Sequence, residues 1–359
     1  MINNNIPLIS FFDRVQSSLA AKKNKYVFVT ESPHWAPQGK RWLAFFVSEL
    51  IDKFGHAPIV VGDPVQWEYS KFKCISFQDF TATVDAVDDL VVLSTSHNCP
   101  LAKSLVDSYI YNIIDMTSYA IDPKKIEYIY NEEDSKNIAA LFKSISDPDS
   151  IANLSSILFA RYTGLLSFIN VSKYPIYQHP VIDFSSMTGV VIDAGSYDGK
   201  ESEILRKICE KAESIYSFEF DERNYTKFKD NINPEIKYIN AGLWSTNTKA
   251  SVSGNGIASK VNINFTEESG TDLVKLDTFL PENCNVSFIK MDIEGAEIDA
   301  IRGSYRVIQT QKPILAISLY HRPNDLWLIP KLILDIRSDY KFFIGQHDKL
   351  LSETVLYAI

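Results

Sequence analysis

Residues 190–200 read VVIDAGSYDGK. The apolar run Gly189-Val190-Val191-Ile192 ends on Asp193. Ala194, Gly195 and Ser196 then turn the chain, Tyr197-Asp198-Gly199 follow, and Glu201 to Lys211 carries a helical pattern. A buried strand, a glycine turn and a helix, in that order, build a ligand site at the carboxyl end of the first strand of an open parallel sheet. Gly195 permits a close approach to the backbone, and the helix start offers N–H groups without intrahelical partners. The spacing is G-x-x-x-G, not the G-x-G-x-x-G of dinucleotide folds.

The turn carries two acids, Asp193 and Asp198. Both repel a pyrophosphate and attract a cationic amino group. This points to S-adenosyl-L-methionine, which is positive at its amino group and sulfonium and has no phosphate. Glu219 closes the next strand-like run, SIYSFEF, 24 residues past Gly195. An acid at that place accepts ribose hydroxyls in nucleotide-binding sheets, so Glu219 is expected to hold the ribose.

A third apolar run, Val286 to Met291, ends in Asp292-Ile293-Glu294-Gly295-Ala296-Glu297. It brings more carboxylates to the same sheet edge. Asp292 is suited to face the methyl donor or to act as a base, and Glu294 to orient an acceptor; Glu297 favours the start of the following helix. Hard divalent cations also take carboxylates, but no metal site is expected. His321 ends the run Pro313 to Tyr320 and is a candidate base or a positioning histidine, since imidazole titrates near neutrality. Tyr197, Trp244, Tyr320 and Trp327 are aromatic candidates for stacking on adenine or a sugar.

The rest of the chain sets the frame. Its 359 residues fit about two domains, and 45% hydrophobic with 23% charged residues is ordinary for a globular protein. The net charge of −9 disfavours a non-specific nucleic-acid binder. Four cysteines without C-x-x-C spacing argue against zinc or a disulfide framework. With no leader-like start and no apolar run long enough to span a bilayer, a cytoplasmic location is expected.

Residues 1–24 read as an amphipathic lead-in helix. Between 25 and 120, strands at Tyr26–Thr30, Pro58–Val61, Leu90–Ser94 and Asn112–Asp115 are expected, with a helix over Gly39–Phe54. This is a smaller Rossmann-like α/β domain. The loop after its first strand has two prolines and no glycine before Gly39, so no cofactor is expected there; His34 and His97 are either ligands or ordinary loop histidines. Residues 121–180 read as a helical connector, with Asp147-Pro148-Asp149 between two helices, and 181–359 as the domain with chemistry. In that domain 245–279 read as short strands, Glu297–Gln309 as one helix, and Tyr340–Gly345 with Thr354–Ile359 as an antiparallel edge pair.

Taken in order, VVIDAGSYDGK, SFEFDERNY, NAGLW, FIKMDIEGAEIDAIRGS, KPILAISLYHRPNDLWLIPKLI and ETVLYAI resemble the FkbM family of S-adenosylmethionine-dependent methyltransferases over about residues 181–359. The resemblance implies a class I methyltransferase fold, an α/β seven-stranded sheet with helices on both faces, and O-methylation of a hydroxyl, with saccharides of glycoconjugates among the family's acceptors. It further implies that Gly195 and its neighbours, Tyr197 included, hold the methionine end. Gly242 and Leu243 would lie by the adenine, and Asp292 and Glu294 by the methyl group. Two other readings stay open: a nicotinamide-dependent sugar oxidoreductase or epimerase, and a non-catalytic binding module. The expected partner is a small-molecule or glycan acceptor.

Overall fold

The computed structural model describes residues 26–29, 59–61, 73–75, 90–93, 113–115, 128, 130–163, 166–228, 233–251, 264–265 and 270–359. The lead-in helix, the helix over 39–54, His34 and His97 lie outside them. The chain divides into two compact units. The first contains five short strands, β1 (Tyr26–Val29), β2 (Ile59–Val61), β3 (Lys73–Ile75), β4 (Leu90–Leu93) and β5 (Ile113–Asp115), in one parallel sheet ordered β3-β2-β1-β4-β5. Four of these were expected. β3 was not, because Lys73-Cys74-Ile75 is too short to give an apolar pattern.

Two helices follow, α1 (Glu132–Ser144) and α2 (Pro148–Thr163). Asp147-Pro148-Asp149 is not a separator but a helix start. The Asp147 carboxylate accepts the Ser150 N–H at 2.9 Å, and proline occupies the first helical position, where its missing N–H costs nothing.

The second unit is built on β6 (Gly189–Ala194), β7 (Ala212–Phe218) and β8 (Ile236–Ile239), with α3 (Lys200–Ile208) and α4 (Glu222–Phe228) as crossovers. A side sheet contains β9 (Ala241–Leu243), β10 (Thr248–Ser251), β11 (Asn264–Phe265) and β12 (Thr271–Val274), ordered β11-β10-β12-β9. After α5 (Leu276–Phe279) the chain returns through β13 (Val286–Met291), α6 (Glu297–Gly303), α7 (Tyr305–Gln311), β14 (Ile314–Ser318), α8 (Asp325–Ile336), β15 (Phe342–Gln346) and β16 (Thr354–Ala358). The main sheet has seven strands in the order β15-β16-β14-β13-β6-β7-β8.

Only β16 runs against its neighbours, pairing antiparallel with both β14 and β15. The terminal strands therefore pair as expected, but β16 is an inner strand and β15 alone is the edge. β6 and β13 are fully or almost fully buried along their lengths, which explains their largely apolar reading. The apolar face of α8 seals one side, with Leu326, Trp327, Ile329 and Ile333 inaccessible to solvent or nearly so. Trp327 is thus a core residue, and its indole N–H donates to Asp134 of α1 at 2.9 Å.

The strand order reverses between β6 and β13. From β6 the chain proceeds outward to β7 and β8, then returns to lay β13 on the other side. Such a switch point leaves a crevice at the carboxyl ends of the two strands, where open α/β sheets bind ligands. Gly195 and Asp292 sit there. No helix among the described residues is long and apolar enough to cross a membrane.

Candidate functional site

The glycine turn is built by the chain itself. Gly195 has φ 82°, and a Cβ there would lie 1.8 Å from the Asp292 carbonyl oxygen. The end of β13 crosses at this point, with the Asp292 N–H donating to the Ala194 carbonyl at 3.0 Å. Glycine is thus required by the neighbouring strand rather than by a ligand.

The turn's amides are also in use. Gly195 and Ser196 both donate to the Phe218 carbonyl, at 3.0 and 3.1 Å, and Tyr197 donates to Glu219 Oε2 at 2.8 Å. Gly199 and Lys200 donate to the Ser196 carbonyl and Asp198 Oδ1. Five amides of the turn, those of Gly195, Ser196, Tyr197, Gly199 and Lys200, are therefore engaged within the chain.

Under the turn lies a buried charge network. Lys290 and Asp193 have no exposed side-chain surface and stand 3.0 Å apart. Lys290 also meets Glu201 at 2.7 Å and donates to the Gly195 carbonyl at 2.8 Å, while Ser202 donates to Asp193. Burial would lower the lysine's pKa, but Asp193 and Glu201 outweigh it and hold the ammonium form well above its ordinary range. Asp193 is consequently spent on the turn and does not line the cavity. Nor does Asp198, which pairs with Lys200 at 2.5 Å.

The crevice is a cavity of about 280 Å³. It brings together Gly195, Tyr197, Glu219, Gly242, Leu243, Trp244, Asp292, Glu294 and Tyr320 of the residues singled out from the sequence, and adds Phe220 and Glu353. Its charged lining is acidic throughout: Glu219, Asp221, Asp292, Glu294 and Glu353, with no lysine or arginine among the lining residues. At one end the short β9 forms an apolar wall. A Cβ on Gly242 would meet Leu273 at 2.7 Å and Phe220 at 3.2 Å, so only glycine lets these side chains close over the strand.

Glu219 follows β7 and is nearly buried. Its two oxygens accept the Tyr197 and Asp221 N–H groups, each at 2.8 Å, tying the end of β7 to the turn after β6. Burial raises its pKa against those hydrogen bonds.

Asp292 is the most constrained carboxylate. Tyr177 donates to Oδ2 at 2.7 Å, Tyr320 donates to Oδ1 at 3.0 Å, and His321 Nε2 stands 3.3 Å from Oδ1. Burial would raise its pKa, yet Lys290, His321 and the two phenols prevail and hold it below its ordinary range. It is an ionised group and a weak base.

His321 does not line the cavity. It stands behind Asp292, with Nδ1 2.9 Å from Glu297 Oε1 and Nε2 3.7 Å from Glu294. Burial pushes the imidazole down, but Glu297, Asp292 and Glu294 more than compensate and raise it to about 9. A ring held in its protonated form by these carboxylates is better suited to positioning Asp292 than to accepting a proton. Glu294 occupies a left-handed conformation at φ 56°, and burial raises its carboxyl.

Asp292, Glu297 and His321 each offer a ligand atom within 4.8 Å of one another, so a divalent cation would have the right donors.

Three contributors escaped the sequence reading. Lys290 was visible as a lysine inside the apolar run FIKM. Glu353 directly precedes the final strand. Tyr177 had no local signature, because its partner Asp292 is 115 residues away.

Residues 193–353 match a family model described as the methyltransferase FkbM domain. Among solved structures, methyltransferase FkbM from Methylobacillus flagellatus KT aligns with a TM-score of 0.65 at 19% identity, over 99% of this chain and 96% of that one. A putative rRNA-methylase from Clostridium thermocellum aligns at a TM-score of 0.31 and 12% identity, over 47% of this chain and 84% of that one. A SAM dependent methyltransferase from Aquifex aeolicus aligns at 0.30 and 13%, over 64% and 98%. The last two are too distant to carry an argument. No curated protein matches the chain. The first likeness shows the fold, and the seven-stranded order is that of a class I methyltransferase.

Proposed function

We propose that this chain, whose residues 193–353 match the FkbM methyltransferase domain model, is a methyltransferase that moves the methyl group of S-adenosyl-L-methionine to a hydroxyl, most fittingly one on a saccharide or glycoconjugate. One observation carries the cofactor reading: among the described residues the cavity at the switch point is lined by five carboxylates and neither lysine nor arginine, and five amides of the turn are engaged within the chain. A cationic ligand without phosphate suits that surface; a pyrophosphate does not. The same observation weighs against a nicotinamide-dependent oxidoreductase or epimerase. The ordered carboxylates weigh against a module without chemistry.

The bound cofactor supplies an electrophilic methyl on a sulfonium. The chain's part is to bind, align and manage a proton. Glu219, with its oxygens fixed by two backbone amides, retains acceptor capacity toward the cavity for ribose hydroxyls. Gly242, Leu243 and Trp244 offer the apolar wall for adenine. Gly195 and Tyr197 shape the methionine end, with Asp193 and Asp198 acting through Lys290 and Lys200 rather than by contact. Asp292, kept ionised by Lys290, His321, Tyr177 and Tyr320, faces the cationic end. Glu294 stands beside the acceptor. His321 positions Asp292 and Glu297 and does not move the proton.

Residues 181–359 would then be the catalytic domain, preceded by a helical connector over 121–180 and a Rossmann-like domain over 1–120 without its own cofactor, in a cytoplasmic enzyme. The saccharide acceptor rests on the family resemblance and on the aromatic lining, Tyr197, Trp244 and Tyr320. The test is to incubate the protein with methyl-labelled S-adenosylmethionine and a glycan extract, with and without chelator. Label in an alkali-stable methyl ether, unaffected by chelator, supports the reading; label on nitrogen, or no transfer to any carbohydrate fraction, contradicts it.

A further inference from the structure

The antiparallel setting of β16 brings one more carboxylate to the cavity. A strand that runs against β14 begins at the edge where the parallel strands end. Glu353 directly precedes it. The Leu319 N–H donates to the Thr354 carbonyl at 2.8 Å, and the His347 N–H donates to the Glu353 carbonyl at 3.0 Å, which holds Glu353 beside the end of β14. There it lines the same cavity as Tyr320 and Asp292. Its φ is 53°, a conformation costly for a residue with a side chain and kept here by those two bonds. In the sheet order, β16 and Glu353 lie on one side of the β6–β13 switch point, and β7 with Glu219 lies on the other. Glu353 therefore stands at the end of the crevice away from the ribose side.

Its electrostatic setting differs from that of the other cavity acids. Asp292 is committed to two phenols and an imidazolium. Glu294 lies 3.7 Å from that same imidazolium, which opposes the upward push of burial on its carboxyl. The groups acting most strongly on Glu353 are mostly acidic: Asp292 from the end of β13, Asp348 from the loop before it and Glu201 from α3, with His321 opposing them. Burial first, then these carboxylates, raise its carboxyl to about 7. A base works best when its pKa lies near the working pH.

Building on the methyl-transfer reading above, we propose that Glu353 is the base that receives the acceptor hydroxyl's proton. As the acceptor oxygen bonds to the methyl carbon, the carbon–sulfur bond breaks and its electron pair stays on sulfur. The hydroxyl proton passes to the Glu353 carboxylate. The products are a methyl ether, a neutral thioether and a carboxylic acid, which returns its proton to water.

Two cofactor analogues test this without knowledge of the acceptor. S-Adenosylhomocysteine lacks the methyl, and sinefungin places a cationic amine where the methyl would be. Calorimetry on the full chain should show wild-type protein binding both. E353Q should bind S-adenosylhomocysteine within about twofold of wild type and lose about tenfold or more in sinefungin affinity, the worth of a charge-assisted hydrogen bond. Wild-type affinity for sinefungin should fall below pH of about 7 as Glu353 is protonated, a dependence absent from E353Q.

If E353Q binds sinefungin as tightly as wild type, Glu353 is not the base, while the methyl-transfer reading stands. If wild type binds neither analogue, that reading falls and takes the base assignment with it. Should E353Q lose both ligands, E353D decides. Recovery of both with the pH dependence supports the assignment, and recovery of S-adenosylhomocysteine alone overturns it.

Discussion

Gly195 and His321 show how a residue legible in the sequence can serve a different purpose in the fold. Gly195 stood out as a backbone opening, but the group that approaches it is the Asp292 carbonyl, 1.8 Å from where a Cβ would sit. Gly195→Ala must therefore displace backbone from a position already unfavourable for alanine. A loss of about 2–3 kcal/mol is expected, read as a lower urea midpoint at unchanged slope; a loss under about 0.5 kcal/mol would contradict this account. His321 was readable as a titrating group, but its three acidic neighbours, Asp292, Glu294 and Glu297, share one stretch that meets it only where β13 pairs with β14. Its folded value of about 9 exceeds the ordinary 6.5. Folding then favours the protonated ring, so its stabilisation is complete below about pH 6.5 and is lost as pH climbs through about 9. His321→Asn should destabilise the protein more at about pH 6 than at about pH 9.5 by chemical denaturation. A gap that widens with pH would show that the ring is buried neutral.

At the scale of elements, β13 is bound to β6 by more than its ladder. Lys290 reaches under the turn to Asp193, Glu201 and the Gly195 carbonyl with no exposed side-chain surface. Lys290→Met leaves Asp193 as a buried, uncompensated charge, which should cost about 3–5 kcal/mol. Adding Asp193→Asn should recover part of that loss; a double variant no more stable than the single one would show that packing, not charge, is at stake. Strands such as β6, β13 and β14 were legible because burial on both faces leaves a largely apolar run. The errors lie where a distant segment decides. Glu297–Gln309 read as one helix, but a Cβ on Gly303 would lie 1.9 Å from the Trp244 carbonyl, and the helix breaks there into α6 and α7. Leu276–Phe279 read as strand from its alternation. It forms α5, from which Asp277 accepts the Arg306 and Val307 N–H groups at the start of α7. The α2 start at Asp147-Pro148 was different: cap and proline were both present in the sequence and were misread as a linker.

For the whole molecule, the seven-stranded sheet and its ligand edge were legible, because strand and helix alternate and the acids recur at strand ends. The inner place of β16 was not, since sequence order does not say between which strands a returning strand inserts. The cavity draws its lining from the ends of β6, β7, β13 and β14, from β9 and from the approach to β16, and its function depends on their convergence. Ligand binding should therefore stabilise the fold as a whole. S-Adenosylhomocysteine at about 100 times its dissociation constant should add about 2.7 kcal/mol to unfolding, visible as a raised melting temperature. Glu219→Ala should weaken the effect, and an unchanged shift in that variant would place the ligand elsewhere. The central claim, that this acidic crevice is a methyl-donor site rather than a nucleotide-phosphate site, is tested most directly by calorimetric titration of the full chain with S-adenosylmethionine and, separately, NAD. The account predicts one saturable site per chain for S-adenosylmethionine and none for NAD; saturable NAD binding, or no heat from S-adenosylmethionine, would contradict it.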